Sequence, residues 1–505
     1  MFKIHDALKN IQPEGVARHF DAIRRIPRGS GNEASVRRYL KKWAGKNHFV
    51  YRTDFIGNSA IDIPASKGVK AGRVLLQMHM DMVCVKRPGV LHDFKKDPID
   101  LERKGDRIHT KGRKTTLGAD NGLGVAMALA IAEDRSFKHP SLTILATVAE
   151  EKGMIGALEL GKAMIPRSVT DYINLDAEEG PEWVCCGSAG VVNLRAKWPL
   201  SDYFMRPQKE AQPFSIQLKG LWGGHSGIDI HKGRGNAILF LKDFLKKIQK
   251  QFHGFILGDF RGGQAGNAIP PAASAIIFLK KFQQEALEIE AKTFETFLRS
   301  ELGKKKGGKL RIKIKKIRLK KKDQFVWSSY VVNHLFRVLD KLPDGSIKRK
   351  DNEHVIISNN IGMVYSDKDY LKLVCFSRYD PHQQKVHERV LRRMITLLEK
   401  EGGVIRRYSD IGWEEPDTSR LITLAKSVGA SQGHKVQTFT YHASLEVGVI
   451  RERLKSFGHA VDNLSAIAFG PIINEGHSTH ENFEISSLQP TYDLLRGILE
   501  ELAKP

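Results

Sequence analysis

With 505 residues, Lys+Arg 81 against Asp+Glu 57, and 41% hydrophobic residues, the chain has the composition of a globular protein too long for one ordinary core. That composition excludes a disordered or fibrous chain, and no run of about 18 apolar residues is present to span a bilayer as a helix. The formal net charge of +24 keeps an anionic partner, nucleic acid above all, among the readings.

The opening segment, MFKIHDALKNIQPEG, lacks an apolar core of signal-peptide length, so a cytoplasmic location is expected. VLLQMHMDMV (74–83) and SLTILATVAE (141–150) are short apolar runs ending in polar residues, which reads as strand. GLGVAMALAIAED (122–134), between them, has helical length and composition. Strand, crossover helix and strand predict an α/β domain with a mostly parallel sheet, whose sites gather at the carboxyl ends of the strands. YINLDAEEG (172–180) adds a further strand ending in acids.

From about residue 187 the texture changes to alternating strands and amphipathic helices, as in SIQLKGLWGGHSG, NAILFLKDFLKKI (236–248) and YLKLVCFSRYD, which predicts a separate α+β domain. Between Lys304 and Lys322 stand 12 basic residues and no acid. There Leu310, Ile312 and Ile314 alternate with Arg311, Lys313 and Lys315, the period of a strand with one solvated face; anion binding is the alternative use of that face. Helix-plus-strand units return after about residue 395 in TSRLITLAKSVGA, AIAFGPII and LQPTYDLLRGILEELAK. The expected organisation is one α/β domain in two segments, 1–190 and 395–505, with an α+β domain, 191–394, inserted between them. The four cysteines, Cys84, Cys185, Cys186 and Cys375, lack metal-type spacing and read as reduced structural thiols.

Acids and histidines recur at the predicted strand ends: His79 and Asp81, Asp120 before a helix, Glu150 with Glu151, and Asp176. Asp120 alone would read as a helix cap, and His79 with Asp81 as a neutral core pair. Together they are the ligand types of a zinc-type or two-metal hydrolytic site, because clustered carboxylates repel one another unless cations neutralise them. Asp81 could then orient the His79 imidazole.

LLQMHMDMVCVK, KTTLGADNGLGVAMALAI, TVAEEKGMIGA, YINLDAEEG, GGHSGIDIHKGRGNA, YHASLEVGVI and INEGHSTHENFEISSL occur in the order seen in the aminoacyl-histidine dipeptidases, also called cytosol non-specific dipeptidases. The resemblance runs from about residue 10 to the C-terminus. It implies a mostly parallel-sheet catalytic domain with an inserted α+β lid and dimerisation domain, a homodimer, and metal-dependent hydrolysis of unblocked dipeptides, Xaa-His included. Two divalent ions, zinc with manganese or cobalt as alternatives, are implied as cofactors.

Carried over by position, the resemblance implies His79 and Asp176 on one metal, Glu151 and His477 on the other, and Asp120 bridging. Asp81 would orient His79, and Glu150 would be the general base acting on the attacking water. GHSTHEN departs from the family pattern by placing His480 where an acid is usual, which makes His480 a second candidate for the last ligand. His225 in GGHSG, a turn residue on its own evidence, is implied as the oxyanion donor. Asn267, Arg378 and Glu446 match substrate-binding positions, with arginine suited to a free carboxylate and an acid to a free amine. His442 is read as structural. The competing functions are a deacylase of N-acyl amino acids on the same scaffold and a non-catalytic, basic nucleic-acid-binding protein. The presence of every expected ligand and of Glu150 argues against nucleic acid as the partner.

Overall fold

The computed structural model describes residues 3–200, 204–205, 207, 210–319, 326–351, 354–367 and 369–505. The chain divides into two compact units, one of Met1–Ser188, Trp413–Tyr441 and Leu445–Pro505, the other of Ala189–Gly412 and His442–Ser444. Residues 395–412, expected in the second α/β segment, group with the inserted unit. The reason is local: the helix Gln384–Lys400 is continuous across position 395, and the strand Val404–Asp410 pairs antiparallel with Gly190–Pro199.

In the first unit the strands Arg73–His79 (β1), Ser141–Thr147 (β2) and Val169–Asn174 (β3) form the middle of a twisted sheet, β1 pairing parallel with both β2 and β3. Ser465–Ala468 continues it in parallel beyond β3, and antiparallel strands close its two sides. β1 and β2 are buried almost throughout, which is why they read as unbroken apolar runs rather than alternating ones. The crossover helix Ala119–Glu133 (α1) is built of alanine, glycine and aliphatic residues and is buried on nearly every side, as expected of a helix apolar all round. All three parallel strands therefore end on the same edge, where the polar residues begin.

The second unit is an antiparallel sheet in the order Arg311–Lys316, Ala211–Lys219, Ala272–Lys280, Ile256–Gly262, Val355–Ser366, Tyr370–Tyr379, Gly190–Pro199 and Val404–Asp410. Helix Ala237–Gln251 places Ile238, Leu241, Phe244, Leu245 and Ile248 in its core at helical spacing. Each is fully buried, on the order of 1.5–3 kcal/mol of transfer free energy apiece. The basic strand Arg311–Lys316 has the expected alternation: Ile312 and Ile314 pack on this core while Arg311, Lys313 and Lys315 are exposed. It is an edge strand, and lysines on an edge discourage pairing with other chains. Lys320, Lys321 and Lys322 lie outside the described residues. Cys84 is exposed and the other three cysteines are buried, all four as free thiols. Among the described residues no helix is long and apolar enough to cross a membrane.

Candidate active site

β1 ends on His79, and two turns beyond its parallel neighbours bring acids to the same edge. After β2 the chain makes a 3-10 turn over Glu150–Lys152, entered through Ala149 with φ 50°. A left-handed alanine costs on the order of 1–3 kcal/mol and is tolerated where the surroundings impose it. Here the imposing groups are the carboxylates of Glu33, which accepts the Ala149 N–H at 3.1 Å, and Asp81, which accepts those of Glu150 and Glu151 at 3.0 and 3.3 Å. After β3, Asp176 follows two residues on, its N–H held by the Asn174 side chain at 3.1 Å.

Asp120 opens α1. Gly118 before it has φ 72°, and a side chain there would collide with Arg28 and Met82, so only glycine makes this turn. The buried Glu481 accepts the N–H groups of Leu117 and Ala119 at 2.7 Å each, and the buried Arg28 guanidinium donates to the carbonyls of Met80, Asp81 and Gly118. The start of the helix and the end of β1 are thus pinned from both sides.

Asp120 lies between two histidines: Oδ1 is 2.8 Å from His79 Nε2 and Oδ2 is 3.0 Å from His477 Nε2. Asp176 Oδ1 is 3.5 Å from His79 Nε2, and Glu151 Oε2 is 3.0 Å from His477 Nε2. Asp81 Oδ1 stands 3.4 Å from the other nitrogen of His79. His477, itself at φ 60°, turns into this group, while His480 meets Arg113 at 3.2 Å. Donor atoms of His79, Asp120 and Glu151 all fall within 4.8 Å of one another.

The electrostatics fit cations. Burial, opposed by His79 and reinforced by neighbouring acids, pushes Glu150 and Asp176 well above the carboxylate range; burial and the acids around it do the same to Glu178. Burial and Asp120 also push up Glu151, whose Oε1 is buried with no hydrogen-bond partner. Burial would raise Asp120 too, but the hydrogen bonds from His477 and His79 outweigh it and hold that carboxyl far down. Among the described residues, the ion pairs of Asp120, Glu151 and Asp176 are with His79 and His477 alone. Two imidazoles are a small counterweight to this many buried acids, and hard oxygen donors with imidazole nitrogens suit divalent metals.

Glu446 is fully buried in the same unit as the first residue of helix Glu446–Ser456 (α2). Its Oε2 accepts from Gln77 at 2.5 Å and from Thr147 at 2.6 Å, so this oxygen is already engaged by the protein.

In the second unit, His225 Nδ1 accepts the N–H groups of Gly227 and Ile228 at 3.3 and 3.1 Å, which leaves Nε2 to carry the ring proton. That nitrogen is 3.4 Å from Arg378 Nη2. Arg378 is 3% exposed, and burial, partly offset by Asp410, lowers its pKa to about 10. A side chain on Gly227 would come within 2.2 Å of the His442 carbonyl and 3.1 Å of Arg378 Nε, so glycine is needed where these groups converge. His442 Nε2 bonds Ser358 Oγ at 2.9 Å, with Asp380 3.6 Å from its Nδ1. The Asn267 carbonyl accepts the Ser226 N–H at 2.8 Å, and the residue is exposed. Arg28 and Glu33 stand in none of the sequence motifs, and Gln77 and Glu481 stand in motifs that assign them no role.

Residues 216–306 match the family model described as a peptidase dimerisation domain. The chain is 30% identical over 509 residues to the cytosol non-specific dipeptidase of Escherichia coli (strain K12), covering 98% of this chain and 99% of that protein. The crystal structure of aminoacylhistidine dipeptidase from Vibrio alginolyticus superposes with TM-score 0.71 at 29% identity, over 99% of both chains. A tripeptidase from Staphylococcus aureus shares the fold, with TM-score 0.60 at 15% identity over 98% of this chain and 100% of that one.

Proposed function

The chain belongs to the cytosol non-specific dipeptidase family, a metallopeptidase family, and on that premise we propose how its residues carry out metal-dependent hydrolysis of unblocked dipeptides. The observation that supports the reading is the Asp120 carboxylate, 2.8 Å from His79 on one side and 3.0 Å from His477 on the other. His79 and Asp176 would hold one divalent ion, Glu151 and His477 a second, and Asp120 both. Zinc is the proposed metal, the same donors accepting manganese or cobalt. When bound, the ions polarise the peptide carbonyl and acidify a water.

The remaining work falls to side chains. Asp81 fixes the His79 ring and, through the N–H groups of Glu150 and Glu151, the turn that carries both acids. Glu150 takes a proton from the attacking water and delivers it to the departing amine. Arg378 receives the free carboxylate of the dipeptide, His225 donates its Nε2 proton to the carbonyl oxygen as charge develops there, and Asn267 contributes a polar contact. A homodimer formed through the region of residues 216–306 and a cytoplasmic location complete the proposal.

Hydrolysis of a panel of dipeptides, one ending in histidine, with an N-acetylated control, tests this before and after chelation. The expected result is cleavage of the unblocked peptides, lost with chelator and restored by zinc. Cleavage of the acetylated control alone would replace the dipeptidase with a deacylase.

A further inference from the structure

Two residues before His79 on β1, Gln77 occupies the interior of the first unit with no exposed surface. Its carboxamide oxygen accepts from Tyr172 Oη at 2.8 Å and from Asn174 Nδ2 at 2.6 Å. Its nitrogen donates to Glu446 Oε2 at 2.5 Å, where Thr147 Oγ1 also donates at 2.6 Å. Asn174, having given its NH2 to Gln77, turns its oxygen to the backbone N–H of Asp176. Gln77, Thr147, Tyr172, Asn174 and Glu446 are all fully buried.

The chain of bonds has a direction. Gln77 faces Glu446 Oε2 with its NH2 and presents its oxygen to Tyr172 and Asn174, and Asn174 presents its oxygen to the Asp176 N–H. Reversing Gln77 would set its oxygen against the Glu446 carboxyl and its NH2 against that of Asn174, and reversing Asn174 would set its NH2 against the Asp176 N–H, where these side chains are fully buried. The links also join the ends of β1, β2 and β3 to the first residue of α2, whose amino end favours an acid. In this position Glu446 has no exposed surface.

We propose that Glu446 and Gln77 are positioning residues: through Asn174 they fix the loop that carries Asp176, and with it the geometry in which the carboxyl ends of β1–β3 hold metal. This inference rests on the metallopeptidase reading above.

The test uses full-length protein, zinc as the probe, and competition with a chromophoric chelator alongside kcat and KM for an unblocked dipeptide. Glu446→Leu and Gln77→Leu each remove a link; both are expected to weaken zinc binding about 10–100-fold and to lower kcat, with KM within about threefold of the parent. Glu446→Gln keeps the acceptor oxygen and is expected to recover most of the lost zinc affinity. Folded leucine variants with parental zinc affinity overturn the proposal. So does a Glu446→Gln protein whose zinc affinity is parental but whose KM rises about tenfold or more, since that would make the charge a substrate contact. If the leucine variants do not fold, Thr147→Val, which deletes one donor to Glu446, carries the test: weakened zinc binding supports the relay and unchanged binding overturns it. A parent protein that binds no zinc and cleaves no dipeptide would overturn the metallopeptidase reading and the relay with it; an active, zinc-binding parent with unchanged variants overturns the relay alone.

Discussion

The two units bury charge of opposite sign. At the strand ends of the first, Asp120, Glu150, Glu151, Asp176 and Glu178 gather around two histidines, and burial with mutual repulsion drives most of the acids up. In the second, Arg378 is buried beside His225 and near His442, and the acid that most affects it, Asp410, only partly offsets its burial. Neither arrangement is explained by stability, since burying a charge costs more than the nearby partners return. The acid-rich centre calls for cations and the base-rich one for an anion. A dipeptidase needs both, because its metals are cationic and its substrate ends in a carboxylate.

The acid-rich centre is most sensitive at Glu150. Glu150→Gln keeps the size of the side chain and removes one acid from the crowded centre. The expected outcome is a fall in kcat of about 10²–10⁴-fold, the usual contribution of a positioned base, with zinc affinity held or slightly improved. A variant that loses zinc as well as activity would show Glu150 to be a ligand. In the other unit, Arg378→Lys keeps the charge but loses the planar fork. With about 1.5–3 kcal/mol resting on hydrogen bonds to a charged group, KM for dipeptides is expected to rise by about 10–100-fold, with a smaller change in kcat. A C-terminally amidated dipeptide should show the same loss with the parent and no further loss with the variant; a further loss would assign Arg378 to another part of the substrate.

What the sequence made legible divides along similar lines. β1, β2 and α1 were readable because buried parallel strands and a fully buried helix leave unbroken apolar runs. Residues at their ends, His79, Asp120, Glu151 and Asp176, were singled out because they stand at the limits of those runs, and the structure brings them together. Arg28, Glu33 and Gln77 were not found, because each acts on residues distant in sequence: Gln77 meets Glu446 369 positions away, and Arg28 meets Met80 52 away. No periodicity records such contacts. The resemblance places Glu446 at a substrate-binding position; that its side chain is completely buried follows from the topology that brings the start of α2 against Gln77 and Thr147, which no local pattern records. The boundary near residue 395 was missed because a helix and a strand of the α+β kind look alike in either domain until their partners are known.

The smallest effect isolates what burying an acid costs where no cation is called for. Asp344, in the second unit, accepts from the Ile361 N–H at 2.7 Å and from Asn236 Nδ2 at 3.2 Å, both on Oδ1. Burial outweighs these bonds and pushes its pKa up to about 6. Because the folded value is raised above the unfolded one, the ionised form is disfavoured in the native state. The penalty is absent below about pH 4, grows between about 4 and 6 as the unfolded chain ionises first, and is complete above that. Asp344→Asn keeps an oxygen for both donors and has no charge to bury. It is therefore expected to match the parent near pH 4 and to exceed it by about 1–2 kcal/mol at pH 7.5 in denaturant unfolding. Equal stability at both pH values would mean that Asp344 is well solvated as an anion, and would weaken the argument that buried acids in this fold are costly unless a cation answers them.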